Sequence, residues 1–101
     1  MKTECQIIFP TNYIEDKLLQ AETEAKGYLR GVRLKVGGTS YTLTFYDPVR
    51  LLQDIEEEFK LHGFFFESNL VTITNVDKKN IINALDNIVD TGTYQDMVKD
   101  N

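Results

Sequence analysis

Few side chains in this 101-residue chain are equipped for catalysis. There is one histidine, His62, and one cysteine, Cys5. An imidazole that titrates near neutral pH can act as a general base. No acidic or nucleophilic partner is marked out beside His62, and a cation just before Gly63 also suits the last turn of a helix, where it complements the dipole. Cys5 could supply a thiolate, but free cysteines are usually buried, and this one precedes an apolar run. It is expected to behave as a small core hydrophobe. Asp54 lies three and four residues before Glu57 and Glu58, with Glu56 between them. Carboxylates at that spacing can hold a hard cation or act as an acid/base pair. A solvated helix face has the same pattern, and Glu56 with Lys60 makes an ordinary i, i+4 pair.

The motifs of zinc proteases, redox dithiols, α/β-hydrolases and P-loop enzymes are missing from the sequence. A transition-metal site wants several imidazoles or thiolates. No catalytic, cofactor-binding or metal-ligating residue is therefore assigned. Gly37-Gly38-Thr39-Ser40 could cradle a phosphate, but such loops lead into a helix and this one leads into a strand pattern.

The chain's charge is unevenly placed. Residues 26–50 hold five bases and one acid, while the remainder holds six bases and fifteen acids, for a net charge of −5. Lys26, Tyr28, Arg30, Arg33, Lys35 and Tyr46 interleave bases with aromatics, as single-stranded nucleic-acid binders do. The acidic total and the missing aromatic-rich RNA-binding motif weigh against nucleic acid, and a solvated sheet face needs the same residues. Arg30, Arg33, Lys35 and Tyr46 on this patch, with Asp54, Glu56, Glu57 and Glu58 on the acidic run, are the candidate partner-binding residues.

These residues need a scaffold. A first strand is expected at 4–9, ended by Pro10. Helix one should be capped by Asn12 and Glu15, bury a stripe of Ile14, Leu18, Ala21 and Ala25, and end at Gly27. Val32, Leu34 and Val36, then Tyr41, Leu43 and Phe45, alternate with polar residues around the Gly-rich loop. A four-residue loop would oppose Val36 to Tyr41, Leu34 to Leu43 and Val32 to Phe45. Asp47-Pro48 should start helix two, with Leu51, Leu52, Ile55 and Phe59 inward, and Gly63 should end it. Residues 64–66 and 70–74 read as one or two further strands. Asp77 caps the last helix, where Val76 and Ile81 form a staple and Ile81, Leu85 and Ile88 face inward.

The expected fold is α+β, with an antiparallel or mixed sheet and helices on one face. Its order is β-α-β-β-α-β-β-α, closest to the split βαβ arrangement of ferredoxin-like folds. One domain is expected at 1–92, with a fraying tail at 93–101. Ile7, Ile8 and Phe9 are too few for a signal peptide (about 7–15 apolar residues) or a membrane helix (about 20). A cytoplasmic protein without a membrane partner is expected. The function expected is a non-enzymatic protein-binding or regulatory domain. It could be an inhibitor or immunity-type acidic protein, or a small homodimer. The alternative is a small enzyme or small-ligand-binding domain on a ferredoxin-like sheet, marked by a deep pocket lined by perturbed carboxylates or by His62.

Overall fold

The computed structural model describes residues 4–101. Four strands, β1 (Cys5–Ile8), β2 (Tyr28–Val36), β3 (Thr39–Tyr46) and β4 (Leu70–Thr72), stand in that order in one sheet. β1 with β2 and β2 with β3 pair antiparallel, and β4 is parallel to β3, so the sheet is mixed. Three helices accompany it: α1 (Lys17–Lys26), α2 (Pro48–His62) and α3 (Lys78–Asp90). The fold is thus α+β, but the ferredoxin-like order is not confirmed. β1 and β2 lie side by side and antiparallel, so no strand is inserted between them.

The hairpin keeps its expected faces but not its expected register. Only Gly37 and Gly38 form the connection, a favoured length for hairpins. Thr39 and Ser40 join the strand opposite Val36 and Lys35. Leu34 therefore opposes Tyr41 and Val32 opposes Leu43, two places from the four-residue-loop register. A shift of two preserves the side-chain face, so the apolar residues still cluster. Strict alternation then breaks at Gly31, a bulge at φ 83° between Arg30 and Val32. The extra residue reverses the parity of the strand, which sends Leu29 to the core side and Arg30 to the outer side.

α3 covers the inner face. Val32, Leu34, Val36, Tyr41, Leu43 and Phe45 pack with Val76, Ile81, Leu85 and Val89 in one buried cluster. Each of the large aliphatic side chains there contributes about 1.5–3 kcal/mol by leaving water. Asp77 caps α3 by accepting from the Asn80 amide at 2.8 Å, and Val76 and Ile81 on either side are fully buried. α2 lies instead toward the outer face, so the helices do not share one side.

The two N-terminal helices roll differently from expectation. α1 is capped by Asp16, which accepts from the Leu19 amide at 3.0 Å, and Asn12 sits in a turn at φ 68°. Ile14, Leu18, Ala21 and Ala25 all face solvent, with Leu18 69% exposed. Thr23 is buried in their place, its hydroxyl donating to the Leu19 carbonyl at 2.8 Å. α2 begins and ends as expected, at Asp47 and Gly63. None of its residues is fully buried. Leu51 and Ile55 are half-buried, but Asp54 and Glu58 share that side while Leu52 and Phe59 turn outward.

Residues 64–66 form no strand, and β4 is the single strand between α2 and α3. The tail expected to fray is docked instead. A 3-10 turn at Thr93–Asp96 sets Tyr94 edge-on to Tyr41, 6.0 Å between centroids. Beyond it Lys99 bridges Tyr41, and the Asp100 amide donates to the Ser40 carbonyl at 2.8 Å. The Asn69 side chain locks this joint, donating to the Thr42 and Val98 carbonyls and accepting from the Val98 amide.

Candidate functional site

Sheet and helix α2 meet at Tyr28 and Tyr46, which are cross-strand partners with rings stacked at 6.0 Å. Lys26, Arg30 and Arg50 all approach the Tyr28 ring, with the Arg50 guanidinium nearest at 4.5 Å. Arg50 also donates through Nε to Asp54 Oδ1 at 2.9 Å. That i, i+4 pair, held over the aromatic ring, sets the roll of α2 and keeps its polar side on the protein.

Arg30 reaches the same place because of the Gly31 bulge. Its Nη2 donates to the Tyr46 hydroxyl at 3.0 Å and lies 3.5 Å from Glu67 Oε1. The Tyr46 hydroxyl in turn lies 3.4 Å from Glu67 Oε1. Burial and the adjacent carboxylates of Asp54 and Glu67, opposed by Arg30, push the Tyr46 phenol up to about 12. Burial works against the Arg30 charge, but Tyr46 and Glu67 outweigh it and raise the guanidinium. Among the described residues Glu67 Oε2 is buried without a hydrogen-bond partner. Such an orphaned acceptor costs on the order of 1–3 kcal/mol.

Around these groups opens a cleft of about 380 Å³, lined by Arg30, Tyr46, Arg50, Asp54, Glu57, Glu58 and residues 65–67. That is within the lower range of ligand clefts, about 300–1,000 Å³. Five candidates named from the sequence therefore meet here: Arg30, Tyr46, Asp54, Glu57 and Glu58. Three do not. Glu56 is exposed on α2, Arg33 pairs with Asp100 at 3.8 Å, and Lys35 lies by Glu4, Cys5 and Gln6 in a separate hollow. Arg50, Phe65, Phe66 and Glu67 were not among the candidates. The Arg50–Asp54 spacing was visible in the sequence; nothing local pointed to Glu67.

Two of the patch's four bases meet acids of the same chain, Arg30 at Glu67 and Arg33 at Asp100, and the neighbouring Arg50 pairs with Asp54. His62 sits in the last turn of α2, 3.7 Å from Glu58, outside the cleft lining. Cys5, expected in the core, is exposed on the edge strand. Among the described residues no three His, Cys, Asp or Glu are grouped to hold a metal, and no helix is long and apolar enough to cross a membrane.

Next to the cleft lies a surface of another kind. Leu52 and Phe59 are each 57% exposed, Phe64 63% and Phe66 78%. Val49, Leu52 and Phe59 recur at helical spacing, so α2 carries an apolar stripe with nothing packed on it. Comparison with known proteins finds no matching family model, no matching curated protein and no matching solved structure.

Proposed function

We propose that the protein is a non-enzymatic binding domain that acts through protein–protein contact, with the outward stripe of α2 and Phe64 and Phe66 as its contact surface. The observation that carries this reading is the exposure of Leu52 and Phe59 on a helix that buries none of its residues, with Phe64 and Phe66 exposed just beyond its end. Contiguous exposed apolar surface rimmed by polar groups is a mark of interaction sites. An exposed acid, Glu56, stands beside the stripe, four residues after Leu52 and three before Phe59. The partner that fits is an apolar surface edged with lysine or arginine, such as a basic enzyme held by an acidic inhibitor. A second copy fits less well, since a two-fold contact centred on α2 would oppose residues 56–58 to themselves.

A photo-crosslinking amino acid at Leu52, Phe59 or Phe66, in the cell that makes the protein, tests this. Controls at Asn83 and Asn87 occupy the exposed side of α3. The expected result is one basic protein crosslinked from all three positions and from neither control. Its purified form should bind the native chain and lose about tenfold or more in affinity on Phe59→Asp. Crosslinks only between copies of the chain, or equal crosslinking from the controls, would overturn the reading.

A further inference from the structure

We infer that the free edge of β4 docks an extended segment of another protein as an added strand, apolar at alternate residues and carrying a lysine or arginine. The ladder shows which backbone groups are open. The Thr44 amide donates to the Asn69 carbonyl at 3.1 Å, and the Ile73 amide donates to the Tyr46 carbonyl at 2.9 Å. With Leu70 opposite Thr44 and Thr72 opposite Tyr46 in a parallel pair, residues 69, 71 and 73 turn their backbone groups toward β3. Leu70 and Thr72 therefore aim N–H and C=O away from it, where no further strand lies among the described residues. β1, at the opposite edge, is flanked by Glu4 and Pro10, residues that deter strand pairing. From Ser68 to Val76 there is no charged residue and no proline, so β4 has no such guard.

A groove lies against this edge. It has a volume of about 560 Å³ and is lined by Leu70, Val71 and Thr72 together with Ile88 of α3 and Asp96 and Met97 beyond it. Val71 stands beside Phe45 on the core side of the sheet. Cross-strand neighbours share a face, so the residue of an added strand opposite Val71 would point toward Ile88 and Met97, both half-buried. Its neighbours would point the other way, which sets the alternation. Two acids, Glu67 and Asp96, line the groove, and no base does. Glu67 is held by Arg30, but Asp96 makes no ion pair among the described residues, so a cationic residue of the segment suits that end. No residue of α2 lines the groove, so this surface is independent of the apolar stripe.

The test records amide spectra of the full chain during titration with the acetylated, amidated hexapeptide Arg-Val-Thr-Val-Thr-Val. Two control peptides accompany it. One has every valine and threonine amide N-methylated and cannot pair; the other carries glutamate in place of arginine. Saturable shifts at Leu70–Thr72, Ile88 and Met97 are expected with the first peptide, none with the N-methylated one, and weaker binding with the glutamate one. Thr72→Pro removes an amide that faces the free edge and takes no part in pairing with β3, so it should abolish binding and leave the β3–β4 bonds in place. Asp96→Lys, at an exposed position, should weaken the arginine peptide about threefold or more. This second variant keeps the test decisive if the proline variant does not fold. Equal shifts from the N-methylated peptide, no saturable shift at millimolar peptide, or affinity unchanged in either folded variant would overturn the inference. Self-association of the free chain through the β4 amides would also overturn it, since the occupant would then be a second copy.

Discussion

Tyr46 joins the sheet to α2 with a fully buried ring and a hydroxyl between Arg30 and Glu67. Its phenol is neutral when protonated, so burial among carboxylates favours the protonated form. With a folded value of about 12 against the ordinary 10.0, the unfolded chain ionises first. The stability contributed here is intact below pH 10 and lost as pH rises toward 12. The difference corresponds to about 3 kcal/mol as an order of magnitude. Tyr46→Phe should therefore show a smaller fall in stability across that window, read by urea unfolding at several pH values. An identical fall in both proteins would place the alkaline loss at another tyrosine, and Tyr13 is also raised by burial and by Asp77 and Glu24. At this scale much was legible, since Arg30, Tyr46 and the acidic run stand out by residue type. Glu67 did not, because its role depends on a contact 21 residues away in the chain.

Among the elements, the junction of α1 and α2 depends on Gly27. Its φ of 80° ends α1, and its carbonyl accepts from the Asp47 amide at 2.8 Å. A Cβ at this position would stand 2.5 Å from Asp47 Oδ2 and 2.9 Å from Arg50 Cβ. Gly37 also has positive φ, at 61°, but a Cβ there would meet nothing within 4 Å. Gly37→Ala should cost roughly 1–2 kcal/mol for the left-handed backbone alone. Gly27→Ala should cost clearly more, because it also displaces the α2 cap, and equal losses in urea unfolding would contradict the close approach. The ends of the helices were readable because caps act over three or four residues. Helix roll was not. A 3.6-residue period shows that apolar stripes exist on α1 and α2, but it cannot say which side the sheet will cover.

The molecule as a whole is somewhat extended, with a radius of gyration of 14.1 Å, against about 13 Å for a compact domain of 100 residues. That fits a core built on one sheet face by α3 while α2 keeps its stripe free. Phe59→Ser should therefore change folding stability by less than about 0.5 kcal/mol. Leu34→Ala, in the fully buried cluster, should cost about 2–5 kcal/mol. Comparable losses from the two would mean that α2 packs inward in solution. The crosslinking experiment belongs to this scale too, since the stripe is left free only by the way α2 sits in the folded molecule.

Local chain chemistry decides a good part of this protein. Asp47-Pro48, Asp77, Gly27 and Gly63 place helix ends, and period-two patterning commits Leu34 and Leu43 to one face whatever the register. These features rest on neighbours a few residues apart. Tertiary structure decides the rest: the two-place register shift, the Gly31 bulge that turns Arg30 outward, the roll of α2, and the tail docked through Asn69 and Asp100. Thr42 and Asp100 are 58 residues apart, so no local pattern announces their meeting. The candidate site arises where β2, β3, α2 and the residues after it converge, which is why its individual residues could be suspected from sequence and its shape could not.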